Sequence, residues 1–100
     1  MVCVLLTACK EQTIWVYYDE TNCFDKWGNV EVSIKEKKKN IKKYLASKNI
    51  IVLKLEITNE GILETCTGCS CTTGNRINCK IYESDLQKAI NENFYLSKTE

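Results

Sequence analysis

Apolar and polar positions along this chain alternate in three places and recur at helical spacing in two. Thr13-Ile-Trp-Val-Tyr-Tyr18 is rich in β-branched and aromatic residues and predicts a strand, with Ile14, Val16 and Tyr18 on one face and Trp15 and Tyr17 on the other. The polar stretch from Asp19 to Asn29, with Gly28-Asn29, predicts a loop. Ser33-x-x-Glu36 has the form of a capping box, and Ile34, Ile41, Tyr44 and Leu45 follow at helical spacing, so a helix is expected from Ile34 to Lys48, stopped near Lys48-Asn49. Ile50 to Thr58 predicts a second strand with Ile51, Leu53, Leu55 and Ile57 inward, broken by Asn59-Glu60-Gly61. Thr73-Gly74-Asn75 reads as a turn, and Arg76 to Tyr82 as a third strand with Ile77, Cys79 and Ile81 inward. Ser84-x-x-Gln87 is a second capping-box pattern, introducing a helix with Leu86, Ala89 and Ile90 on one stripe and Phe94 just beyond. Asn93 is placed to end that helix in a left-handed conformation.

The order β-α-β-β-α predicts an α+β two-layer sandwich, a small mixed sheet with two helices on one face. A strand-helix-strand crossover leaves its two strands parallel, and the third is expected to return antiparallel. Trp15, Tyr17, Val52 and Tyr82 are expected on the uncovered sheet face.

Composition bounds this picture. One hundred residues suit a single domain, expected over 13–100. A domain this small buries only about 60–65% of its unfolded surface, so a covalent or metal staple is a useful supplement. The net charge of +1 gives no general reason to expect a nucleic-acid partner. Proline is absent and glycine scarce, which favours an ordered α/β mixture over a linker-rich chain.

The cysteines add candidate chemistry. Cys79 falls on an inward strand face, where a thiol behaves as a small hydrophobe. Cys23, Cys66, Cys69 and Cys71 remain as a thiol cluster once Cys3 and Cys9 are set aside. Parallel first and second strands bring the loop of Cys23 and the loop of Cys66 to Cys71 to the same sheet edge. Three disulfide pairings are available to four cysteines. Cys69 and Cys71, two apart, are poorly placed to bond each other. The expected pairing is Cys66 with Cys69 around Gly68 and Cys23 with Cys71, the latter contributing on the order of 4 kcal/mol in the chain-entropy model. The alternative is a zinc site on the same four thiolates, although C-x2-C-x-C with one distant Cys lacks the two spaced pairs of a zinc ribbon. No His is present to complete another ligand set.

The first nine residues end Leu6-Thr7-Ala8-Cys9 after an apolar run. This resembles the bacterial lipobox, in which small residues precede the Cys that is diacylated. The expectation is a residual signal segment at 1–8, a lipidated tether at 9–12 and Cys9 as the lipidation site. A buried N-terminal strand is the alternative. No later stretch approaches the roughly 18 apolar residues of a membrane span.

Together with Tyr17-Tyr18-Asp-Glu-Thr-Asn-Cys23-x-Asp25-x-Trp27-Gly28 and Cys66-x-x-Cys69-x-Cys71-x-Thr73-Gly74-x-Arg76-Ile77, that segment resembles a group of small bacterial lipoproteins of unknown function. The resemblance implies a membrane partner through a lipid anchor and a location in the bacterial cell envelope. Lys10-Glu11 is similar to signals that direct lipoproteins to the outer membrane or cell surface.

The lysine-rich helix (Lys35, Lys37, Lys38, Lys39, Lys42, Lys43, Lys48) reads as a solvated face, with anionic headgroups as the functional alternative. Phe24 and Trp27, in a polar loop, either form a binding surface for an envelope protein or pack over the cysteine staple. No hydrolase elbow, P-loop, dinucleotide fingerprint or His-based metal motif is present. The expected role is therefore a structural or binding module without catalytic residues. A strand followed by Asp-Glu-Thr-Asn-Cys23 also resembles the entry to a thioredoxin fold. It lacks the Cys-x-x-Cys at that place and the family's cis-proline, so thiol-redox chemistry stands second.

Overall fold

The computed structural model describes residues 12–23, 25–28, 32–66 and 68–97. Its elements run β1 (Thr13–Thr21), α1 (Ile34–Ser47), β2 (Lys54–Thr58), β3 (Thr72–Tyr82), a single 3-10 turn (Glu83–Asp85), α2 (Leu86–Asn91) and β4 (Tyr95–Leu96). The expected signal segment 1–8 and residues 9–11 of the expected tether 9–12, with Cys3 and Cys9, lie outside the described residues, as does Phe24.

The α+β class and the two-helix layer are as expected. The sheet order is β2-β3-β1-β4, and every pairing is antiparallel, so the sheet is not mixed. β1 and β2 do run parallel, but β3 lies between them. The fourth strand is only two residues long, too short to leave a periodic signal in sequence.

Register puts Val16 opposite Cys79 on β3 and Leu55 opposite the same Cys79 from the other side. One sheet face therefore presents Ile14, Val16, Tyr18, Leu55, Ile57, Ile77, Cys79 and Ile81. Ile41 and Leu45 of α1, Ala89 of α2 and Phe94 close over it as one cluster. The uninterrupted alternation Ile77, Cys79, Ile81 is fully buried, as its parity requires.

Both helices end in the same way. Asn49 (φ 66°) and Asn93 (φ 71°) take the left-handed conformation. Asn49 N–H donates to Ala46 O and Ile50 N–H to Leu45 O, while Asn93 N–H donates to Ile90 O and Phe94 N–H to Ala89 O. Each is a Schellman motif, whose next residue is an apolar plug. Ile50 and Phe94 are both 1% exposed.

This cap accounts for a correction in the second strand. Its plug fixes Ile50 inward before any strand begins, and Val52 also packs against the core. Ile51 and Leu53 then point outward, and strand parity starts only at Lys54. Val52 is thus not on the open sheet face. At the first helix, Ser33 Oγ accepts from Glu36 N–H as expected, but Ile34 remains exposed. The second capping box does not form: Ser84 lies inside the 3-10 turn, and α2 begins at Leu86 without a side-chain cap. Ile90 is exposed rather than part of the buried stripe.

Candidate functional site: the disulfide clip

β1 continues three residues beyond the expected Tyr18, because Glu20 keeps the inward parity of Ile14, Val16 and Tyr18. Past Thr21 the chain still tracks the other loop. Asn22 N–H donates to Cys71 O (2.9 Å) and Cys23 N–H to Cys69 O (3.0 Å), and Asn22 Nδ2 reaches Gly68 O (3.0 Å). The loop of Cys23 and the loop of Cys66 to Cys71 meet at one sheet edge, as the crossover argument required.

The pairing differs from the expected one. Cys23 is bonded to Cys69, with Cα atoms 4.6 Å apart, and Cys66 to Cys71, with Cα atoms 6.1 Å apart. The local turn explains the exchange. Cys71 N–H donates to Gly68 O, folding Cys71 back across the turn toward Cys66. Cys69 is left at the exposed tip, where the backbone pairing with Cys23 holds the two residues face to face. Cys71 is buried, whereas Cys23, Cys66 and Cys69 are exposed.

The arm leading into this turn folds back on β3. Leu63 bridges Thr73, and Glu64 Oε1 accepts from Thr72 N–H (2.7 Å) and Thr72 Oγ1 (3.2 Å). Thr73-Gly74-Asn75 is a bulge within β3, not a turn, and it shifts the β1–β3 register between Asp19 and Thr21. Gly74 takes φ 96°, which a side chain rarely adopts. Gly61 allows the close approach of the arm: a Cβ there would lie 2.9 Å from Asp19 Oδ1 and 3.0 Å from Asn75 O.

The bulge aims two donors at a buried carboxylate. Glu20, 7% exposed, accepts from Thr73 Oγ1 (2.7 Å) and Asn75 Nδ2 (3.0 Å) and pairs with Lys37 of α1. Burial works to raise its pKa, but the hydrogen bonds from Lys37, Thr73 and Asn75 outweigh it and hold the carboxyl below its ordinary value. Asp25, also buried, accepts from Tyr18 Oη (2.8 Å), Thr21 N–H (3.1 Å) and Thr21 Oγ1 (2.7 Å). Burial, then this hydrogen bond, pushes the Tyr18 phenol well above its usual range. Arg76 binds Asp19 through two nitrogens (2.8 and 3.3 Å) and lies 4.1 Å over the Tyr17 ring.

Trp27 does not line an exposed surface. It is 8% exposed and packs against Tyr18, Tyr44 and Phe94. Cys79 is buried with its thiol pushed up to about 12 by burial, in keeping with a core role. Glu64, Cys66 and Cys71 place their ligand atoms within 4.8 Å of one another. With Cys66 and Cys71 joined, that group offers a carboxylate and a disulfide but no thiolate. A zinc site on the expected four sulfurs therefore requires both bridges to be reduced. The redox motif of a thioredoxin is not reproduced, since Cys23 bonds a partner 46 positions away.

Sequence reasoning missed Glu20, Asp25 and Glu64. Glu20 carried a legible signal, because a Glu on the inward parity of a strand needs partners. Asp25 and Glu64 lie in loops and accept from Tyr18, Thr21 and Thr72 toward the strand ends, so no periodicity marks them.

No protein-family model matches the chain, and neither a curated protein nor a solved structure matches it.

Proposed function

We propose that this chain is a lipid-anchored, extracytoplasmic domain of the bacterial cell envelope, carried at Cys9 and acting as a structural or binding module. The observation that carries the reading is the pair of bridges, Cys23–Cys69 and Cys66–Cys71. Structural disulfides persist in oxidising compartments and are uncommon in a reducing cytosol. The small-residue pattern before Cys9 supplies the anchor, and Lys10-Glu11 favours the outer membrane. Among the described residues no helix is long and apolar enough to cross a membrane, so acylation of Cys9 is the proposed means of retention. An envelope protein is the proposed partner. Its docking site is the clip end, where Ile62 and Leu63 stand exposed on the arm (62% and 70%).

Intact mass of protein purified from envelopes tests this reading. The expected species carries an acyl adduct at Cys9 and is lighter, for its two bridges, than the reduced form by about four hydrogens. Globomycin is expected to leave the unprocessed precursor. Unchanged mobility under that inhibitor overturns the anchor, and four alkylatable thiols in native protein overturn the staple. A thiol-redox or zinc-thiolate role for the same four sulfurs is the second reading. It is favoured by the exposure of Cys23, Cys66 and Cys69, and it predicts those four reactive thiols or a retained metal in native mass spectrometry.

A further inference from the structure

The end of the sheet opposite the clip carries charge and apolar surface that the fold does not use. Lys54 and Lys80 stand directly opposite one another on β2 and β3, so both leave the sheet face away from the helices. Like charges in that relation destabilise a sheet, and among the described residues neither lysine has a carboxylate within salt-bridge distance. Trp15 lies opposite Lys80 on its other side, and Tyr82 follows on the same face. Beside this pair, at the entry to β2, Ile51 and Leu53 are 59% and 41% exposed. Leu53 N–H donates to Lys80 O (2.8 Å), which fixes the apolar pair next to the basic one.

We infer that this end rests on an anionic phospholipid surface, with Lys54 and Lys80 on the headgroups and Ile51 and Leu53 at the acyl boundary. The inference rests on the lipid-anchor reading and deepens it. Glu83 N–H donates to Gln12 O (2.8 Å), which pins the start of β1 at this end. Three residue steps separate Gln12 from Cys9, a span of at most about 11 Å. A diacyl group on Cys9 therefore holds this end of the sheet, and not the clip, against the bilayer. An anionic surface relieves the Lys54–Lys80 repulsion, each lysine near such a surface gaining attraction from it. Trp and Tyr suit the headgroup level, where one end of the ring is apolar and the other wet. Exposed Glu60 and Glu64 sit on the arm at the far end, where the same charge repels them from the membrane.

The test uses the full acylated chain in nanodiscs of phosphatidylcholine and phosphatidylglycerol doped with a gadolinium-chelate headgroup lipid. Isoleucine and leucine methyl signals are the readout. Ile51 and Leu53 are expected to lose most of their intensity while Ile62 and Leu63 keep theirs. Equal loss at both ends, or loss confined to Ile62 and Leu63, overturns the inference. The mass of the Cys9 adduct in the same sample reports separately on the anchor. If Cys9 proves unmodified, the anchor reading fails and the surface is judged on the unacylated chain by sedimentation with phosphatidylglycerol against phosphatidylcholine vesicles. Preference for phosphatidylglycerol is then expected to fall about fivefold for each of Lys54→Gln and Lys80→Gln. No preference, or no fall in either variant, overturns the surface as well.

Discussion

The clip end and the helix layer hold this chain by different means. In the helix layer, two helices end in identical left-handed caps, and each cap drives an apolar plug, Ile50 or Phe94, into the core. Nothing covalent is needed there, because the connections are short and the buried surface is continuous. At the clip end the segments 22–33 and 59–71 are long, and most of their described residues are exposed. Burial alone cannot repay the entropy of ordering such segments. Two disulfides and three hydrogen-bonded carboxylates, Glu20, Asp25 and Glu64, take over. The contrast teaches where each kind of bond is informative: apolar packing marks the fold, and the clip marks the part of the surface that had to be fixed in shape without a core beneath it.

The sharpest way to break this comparison is to damage each region separately. Phe94→Ala removes the plug that contacts Tyr18 and Trp27, and is expected to cost about 3–5 kcal/mol. Denaturant unfolding should show the loss equally with and without reductant, since no bridge is involved. A loss under about 1 kcal/mol would mean that the helix layer does not carry the fold. Cys23→Ser with Cys69→Ser opens a 46-residue separation and is expected to cost about 4 kcal/mol in the chain-entropy model. Hydrogen exchange in that variant should rise first at 59–71 and leave Ile77 to Ile81 protected. Uniform loss of protection would join the two regions into a single cooperative unit. Cys66→Ser with Cys71→Ser opens a much shorter loop and is expected to cost about 2 kcal/mol, read by the same unfolding curves. A cost equal to that of the long clip would contradict the entropic account.

Much of the helix layer and of the sheet face beneath it was legible because its signals are periodic. Ile41 and Leu45 at helical spacing, and Ile77, Cys79 and Ile81 in alternation, reported their own burial. Asn93 announced its left-handed cap. The edges of this pattern failed where a local motif outranked periodicity. The plug at Ile50 reversed the parity of Ile51 and Leu53, and the bulge at Gly74 placed within β3 what reads as a turn. The meeting of the cysteine loops was also legible, since it follows from strand direction. Their pairing was not, because it depends on one hydrogen bond, Cys71 N–H to Gly68 O, that selects which sulfur faces outward. The order β2-β3-β1-β4 was hidden for a similar reason: sequence does not state that β3 inserts between β1 and β2, nor that two residues after α2 suffice for a fourth strand.

The smallest expected effect tests whether the carboxylates share the work of the clip. Glu20 joins β1, α1 and the bulge through Lys37, Thr73 and Asn75. Its folded pKa lies below the ordinary 4.5, so the folded state binds its proton less readily than the unfolded chain does. The stabilisation it gives is therefore fully present above about pH 4.5 and is lost as pH falls through the folded value. Glu20→Gln keeps the shape and removes the charge, and is expected to cost about 1–2 kcal/mol at neutral pH. Glu92, held down by Tyr44 and then by Lys26 against the opposing pull of burial, adds to the acid sensitivity of both proteins equally. The informative quantity is thus the difference between parent and variant, measured by urea unfolding across acid pH. That difference should be constant above about pH 4.5 and shrink below it, because a protonated Glu20 and a Gln make similar neutral contacts. A difference that does not change with pH would assign the clip end to its sulfurs alone, with Glu20 acting there only as a shape.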